Sequence, residues 1–350
     1  MSYTFNVNCM KVSSVLLFML FFQLSFAQKN FTALDKALEE KKNLLGKDFV
    51  VLITKNDSVI YQKEWGDMKI KTVAPIASCS KWLTAALVMQ FVDEGKISLD
   101  DKVVKYLPVF EKYGKNYITI RHCLSHQTGI QAEGGKLARL VERKKFNTLE
   151  EEVAAFAAKE IQTNPGTEFN YNEMGLNIAA RVLEVVAKKR FDLLIRQKLL
   201  SPLGMRQTTF STLDGSAHNP SGGARSTAAD YNNFLKMLLH NGLFNGQRIL
   251  SEASVTALRT VQTGGIVMRS VPRAAAGYQY ALGNWVIEKG TDDVARAVAC
   301  PGLFGTWPLI DYCRGYTLIF FVKSLLGEEK ADAYRDLKKL VDGYFTSACK

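Results

Sequence analysis

The sequence predicts an α/β (α+β) fold: one antiparallel sheet built from both chain ends, flanked by terminal helices, with an all-helical subdomain inserted. Three observations carry this. A strand pair stands near the start and more strands near the end, while the middle reads as helices. Amphipathic helical patterns open and close the chain. Residues 82–92 are apolar on nearly every side, broken only by Thr84 and Gln90. A helix without a polar face belongs in the interior.

In order, residues 30–45 place Phe31, Leu34, Leu38 and Leu45 along one side of a helix. Residues 49–53 and 58–65 read as strands joined at Lys55-Asn56-Asp57, a hairpin. The buried helix follows and Gly95 stops it. Residues 118–124 lead into another helical start, 125–135 are loop, and 149–158 are helical. Asn164-Pro165-Gly166 is a turn. The helical periodicity of 175–188 continues toward Leu200, where Ser201-Pro202-Leu203-Gly204 breaks it. Residues 216–226, rich in Gly and Ser, form a loop, and 227–240 a helix capped by Asn241-Gly242. Residues 278–288, 295–299 and 316–323 read as strands, and 328–344 as the closing helix. This pattern divides the chain into a sheet subdomain (28–72 and 255–350) and a helical subdomain (73–254), with a small-molecule cleft expected between them.

Residues 1–27 read as a signal peptide. An apolar run over 12–22 follows Lys11, and Ser25-Phe26-Ala27 places small residues where a signal peptidase reads. The run is short for a membrane span, so the mature chain, 28–350, is expected to be exported, periplasmic or extracellular, with no stable span after cleavage. The net charge of +11 contains one lysine of this leader. A basic surplus favours anionic polymers, but no Lys/Arg block interleaves with aromatics, so nucleic acid is a poor partner. The mature chain keeps Cys79, Cys123, Cys300, Cys313 and Cys349. An odd count without C-x-x-C argues against a dense disulfide framework or a zinc knuckle. One bridge, Cys300 to Cys313, is possible but has no spacing argument behind it.

Ser78 and Lys81 stand three apart at the front of the buried helix, where their side chains can meet. Burial of an ammonium favours its neutral form, and a base touching a serine hydroxyl makes a nucleophile. The helix start also offers free N–H groups to a developing oxyanion. The spacing alone is weak, since Ser347-Ala348-Cys349-Lys350 repeats it. Taken in isolation, a capping hydroxyl and a snorkelling lysine are the simpler reading. Other chemistries find less support: there is no G-x-S-x-G or H-E-x-x-H, and residues 129–136 make a P-loop one residue too long. His122 and His126 have the spacing of a metal pair but no third ligand nearby, so a structural role is favoured and no metal or cofactor is expected.

Ile76-Ala77-Ser78-Cys79-Ser80-Lys81 resembles the nucleophile segment of the β-lactamase-related serine hydrolases, which include class C β-lactamases, D-Ala-D-Ala carboxypeptidases and family VIII-type esterases. Ile118-Thr119-Ile120-Arg121 through Leu124-Ser125-His126-Gln127-Thr128-Gly129 is similar to the family's T-I-R-x-L-L-x-H-T-S-G. Pro165-Gly166-Thr167 with Phe169 and Tyr171 resembles its P-G-x-x-F-x-Y-S-N. Pro202-Leu203-Gly204-Met205, Gly222-Gly223, Ser226-Thr227-Ala228 and Asp230 follow in family order. The resemblance runs from about residue 49 to residue 323 and implies a β-lactamase/transpeptidase-like fold.

It further implies that Ser78 attacks an acyl carbon, that Lys81 takes or shares its proton, and that Tyr171 passes a proton to the leaving group. The oxyanion would meet the N–H groups of Ser78 and Leu303, with Gly302 allowing close approach of substrate. Two departures bear on substrate. Glu173 stands where the family has asparagine, and Cys300-Pro301-Gly302 replaces K-T-G or H-x-G, so the third motif has no cation. Cys300 and Glu173 are thus placed at the substrate, and Arg225 in the Gly-rich loop is the residue that could replace the cation. Cys79 is read as packing. The expected reaction is hydrolysis of a small ester or amide through an acyl-enzyme. The alternatives are a cell-wall D-Ala-D-Ala carboxypeptidase or class C-type β-lactamase, or a weakly active or inactive relative that uses the cleft to bind.

Overall fold

A computed structural model describes residues 1–3, 30–132, 146–212, 214–324 and 327–349. The leader reading over 1–27 lies almost wholly outside the described residues, as do the second half of the P-loop-like stretch, 133–136, and Lys350 of the second S-x-x-K. The main compact unit is Phe31–Lys350. No helix among the described residues is long and apolar enough to cross a membrane.

The sheet has seven strands, all paired antiparallel, in the order Ser58–Trp65, Phe49–Lys55, Tyr316–Val322, Trp307–Asp311, Ala295–Ala299, Trp285–Lys289 and Gln279–Tyr280. The opening hairpin pairs directly with the last strand, Phe49 opposite Val322 and Lys55 opposite Tyr316. Asn56 and Asp57 both take positive φ at the hairpin turn (50° and 62°), as a type I′ connection requires. The central strands are apolar on both faces because both are covered. Phe49, Val51, Ile53, Leu318 and Phe320 face a layer holding Leu34, Leu38, Leu337 and Val341 of the two terminal helices, Thr32–Leu45 and Ala331–Asp342. Val50, Leu52, Ile319 and Phe321 face the larger core, which contains the Ser80–Asp93 helix. Ser80 through Phe91 are all buried.

Four expectations change. The helix begun at Met174 stops at Ala187, because Lys188 adopts the left-handed conformation (φ 50°), and a separate short helix, Phe191–Ile195, leads toward Leu200. The strand read over 278–288 is interrupted by a turn in which Ala281 N–H donates to the Asn284 carbonyl at 3.0 Å. Gly283 is needed there: its φ is +77°, and a Cβ would lie 2.9 Å from the Lys81 carbonyl oxygen. The strand Trp307–Asp311 was not anticipated, since Pro308 cannot donate to a ladder and demotes a run read from sequence. Finally, Cys313 is bridged to Cys349, not Cys300 (Cα–Cα 5.2 Å). The tail returns to the Cys313 turn, where Ala348 N–H donates to the Cys313 carbonyl at 2.8 Å, while Cys300 is held in the interior as a free thiol.

Candidate active site

Ser78 lies in a 3-10 turn, Ala77–Cys79, that runs directly into the Ser80–Asp93 helix. Ala77 is held at φ 45°, a conformation that costs an L-residue roughly 1–2 kcal/mol and persists only where its surroundings impose it. Ser80 imposes it. The Ser80 hydroxyl donates to the Ala77 carbonyl at 2.6 Å and accepts from Ala224 N–H at 3.0 Å. Ile76 N–H donates to the Ala224 carbonyl at 3.0 Å, so the turn is bound to the Gly-rich loop on both sides of Ala77. Cys79 points away from the cleft, toward the Thr306 carbonyl at 3.5 Å.

The Lys81 ammonium donates to Ser78 Oγ at 3.3 Å and to the Ser221 carbonyl at 2.8 Å, and stands 4.9 Å from the centre of the Tyr171 ring. Only 2% of Lys81 is exposed. As an ammonium Lys81 can only donate, so the Ser78 proton needs an acceptor within the Lys81–Tyr171 pair, either the neutral amine or the phenolate. The carbonyl that holds it is itself held. Ser221 N–H donates to Asn177 Oδ1 at 3.0 Å, and Asn177 Nδ2 donates to Glu152 at 3.0 Å. Thr84, one turn along from Lys81, donates to the Pro220 carbonyl at 2.6 Å. Sequence reasoning missed Ser221, Asn177 and Glu152. The available signal was a polar Asn177 on the apolar face of an otherwise well-patterned helix.

Tyr171 is set by an aromatic cluster. Its ring lies 4.5 Å from His126 and 5.3 Å from Trp285, and its N–H donates to the Ser270 carbonyl at 3.0 Å. His126 Nδ1 accepts from Asn172 N–H at 3.4 Å, which leaves Nε2–H to donate to Tyr280 Oη at 3.1 Å. Burial first, and the Lys81 charge second, push the His126 pKa well below its usual value, so the ring is neutral. His122 instead caps the Ile120–Leu124 helix, Nδ1 accepting from Thr119 N–H at 3.3 Å. Among the described residues, one group of three metal-capable side chains is close enough to share an ion: Glu288, Asp311 and Asp342. Lys338 already occupies it, at 2.5, 3.4 and 2.7 Å respectively.

Ser78, Lys81, Tyr171, Glu173 and Leu303 line one cleft of about 210 Å³. Val271, Pro272 and Phe304 give it an apolar wall. Gly302 lies just behind. A Cβ there would be 2.3 Å from the Ile76 carbonyl oxygen, so only glycine lets this strand end approach the Ser78 turn. Gly302 N–H donates to the Thr306 carbonyl at 2.8 Å, whereas Leu303 N–H has no backbone acceptor among the described residues. The Ser78 N–H is in a first turn, where donors have no intrahelical acceptor.

Two residues expected at the substrate are elsewhere. Cys300 is 1% exposed and does not line the cleft. Its thiol points to the carbonyls of Ser78 at 3.3 Å and Gly283 at 3.4 Å, and burial pushes its pKa up to about 12. It therefore supports the Ser78 turn from behind as a neutral donor. Arg225 is exposed, its backbone paired with Pro75 and Thr209, and does not line the cleft.

The chain resembles known proteins in sequence and in fold. The chain is 31% identical over 171 residues to protein flp of Staphylococcus aureus strain MW2, a match covering 46% of this chain and 34% of that protein, so it spans only about a third of that relative. A solved structure from Bacteroides dorei DSM 17855 superposes with a TM-score of 0.79 at 28% identity, covering 89% of this chain and 98% of that one. The structure of EstCE1, a hydrolase with promiscuous acyltransferase activity, superposes with a TM-score of 0.72 at 19% identity, covering 88% and 97%. The model of the family described as beta-lactamase matches residues 39–342, and the chain belongs to that family of serine hydrolases.

Proposed function

We propose that the protein is an exported serine hydrolase that cleaves a small ester or amide through a Ser78 acyl-enzyme. The observation that carries this is the 3.3 Å contact of Lys81 Nζ with Ser78 Oγ at the floor of the cleft, with Tyr171 beside it. Ser78 Oγ attacks the acyl carbon while its proton passes to the Lys81–Tyr171 pair. The carbonyl oxygen becomes an oxyanion between the N–H groups of Ser78 and Leu303. The tetrahedral intermediate collapses as the pair returns the proton to the leaving group, and water then releases the acid by the reverse sequence. The sheet part (28–72, 255–350) and the helical part (73–254) would contribute one wall each.

Neutral acyl esters are preferred over carboxylate-bearing substrates in this reading. Lys81 is the only lysine or arginine among the described residues lining the cleft, and Glu173 adds an acid. A like charge opposes a substrate carboxylate more strongly as the local dielectric falls. The experiment compares kcat/KM for a short p-nitrophenyl ester and a chromogenic cephalosporin, in wild type and Ser78→Ala. Ester turnover abolished in Ser78→Ala is expected. Comparable hydrolysis by the variant would end the proposal, and efficient cephalosporin turnover would favour the β-lactamase or D-Ala-D-Ala carboxypeptidase alternative. An inert Ser78 that a fluorophosphonate does not label would leave only a binding role.

A further inference from the structure

Glu173 is half-buried on the wall of the cleft, immediately before the Met174–Ala187 helix. Its side chain has no hydrogen bond and no ion pair with any described residue, unlike Glu168, three residues before Tyr171, which is clamped by Arg269 at 2.6 and 2.9 Å. The neighbouring polar side chain is already committed. Asn172 Nδ2 donates to the Asn170 carbonyl at 2.7 Å, and Asn172 Oδ1 accepts from Met174 N–H at 2.8 Å. Of this turn's side chains, Glu173 therefore remains to meet a ligand polar group, and a carboxylate offers acceptors only. Lys81, the cation of the cleft, is turned to Ser78, Ser221 and the Tyr171 ring. The same cleft is also lined by the apolar side chains of Val271, Pro272 and Phe304.

We infer that Glu173 is a specificity determinant for substrates that carry a protonated amine on an apolar body, such as an ω-aminoacyl ester or amide. This rests on the acyl-enzyme reading above. An ammonium facing the carboxylate forms a charge-assisted hydrogen bond in a partly desolvated site, and the same carboxylate repels an acid. An amide in its place, as an asparagine or glutamine would give, offers both donor and acceptor and loses the charge preference.

The test uses three p-nitrophenyl esters of matched length: ω-aminohexanoate, heptanoate and the half-ester of adipate, each corrected for its buffer hydrolysis. Wild type is expected to favour the amino ester over heptanoate by about tenfold in kcat/KM, and the adipate half-ester to be poorest. Glu173→Gln should bring the amino-to-heptanoate ratio toward one, and Glu173→Lys should move preference to the half-ester. The wild-type ratio should also shrink from low to near-molar salt, a readout that needs no variant. Equal turnover of all three esters by wild type, or a ratio unmoved by salt, overturns the inference. So does a Glu173→Gln enzyme that loses activity in proportion on all three, since Glu173 would then serve the chemistry and not selection. Fluorophosphonate labelling of Ser78, run alongside, separates these outcomes from failure of the acyl-enzyme reading itself.

Discussion

The Lys81 ammonium is 2.8 Å from the Ser221 carbonyl oxygen, closer than the 3.3 Å that separates it from Ser78 Oγ. The loop holding Ser221 is therefore part of what positions the lysine, and that loop is held through Asn177 and Glu152 inside the helical region. Asn177→Ala removes both bonds and leaves a buried carboxylate short of a donor, at a cost of about 1–3 kcal/mol. Thermal denaturation should show that loss. Single-turnover acylation should slow as well, because the carbonyl that orients Lys81 becomes mobile. A destabilised variant with unchanged acylation would confine Asn177 to folding.

Lys81 and Tyr171 face each other at 4.9 Å and are expected to handle the proton as one unit. Lys81→Ala, Tyr171→Phe and the double substitution should then be strongly non-additive, the double losing little more kcat/KM than the worse single. Losses that multiply would show that one of the two only packs.

His126 makes stability depend on pH. Burial, with the Lys81 charge second, holds its pKa well below the usual 6.5. Below that value the unfolded chain binds a proton that the folded chain does not, so stability falls as pH drops through this range, by up to about 1.4 kcal/mol per unit. Above it both states are neutral and the contribution is constant. Asparagine tolerates the left-handed backbone found here (φ 58°), so His126→Asn is the informative variant. Its urea-derived stability should vary less steeply than wild type between about pH 5 and 7. Parallel profiles would place the titration elsewhere.

The Cys313–Cys349 bridge closes a loop with a sequence separation of 36. A loop of that size corresponds to about 3–4 kcal/mol of chain-entropy stabilisation. Cys349→Ser, or reduction of the wild type, should lower the melting temperature while leaving Ser78 labelling intact. An unchanged melting temperature would mean that the tail contributes nothing to the folded state.

The apolar run 82–92, the hairpin at Asn56-Asp57 and the Ser78–Lys81 spacing could all be read from the chain. Each is a local pattern in which periodicity, turn chemistry or helical geometry acts within a few residues. Their order along the chain also determined the architecture, since strands at both ends can join only by closing one sheet. What the tertiary structure alone decided involves partners far apart in sequence. The Ser221 carbonyl reaches Lys81 across 140 residues, and the Cys300 thiol reaches the Ser78 carbonyl across 222. That approach is why Cys300, placed at the substrate by motif position, stands behind the Ser78 turn. Pro308 hid a central strand for the same reason: its missing N–H is a local defect, while Val298 and Leu318 on the adjoining strands are distant neighbours that the fold supplies. Glu173 was visible as a departure in sequence, but only the tertiary structure placed it on the cleft wall beside Tyr171 and Leu303.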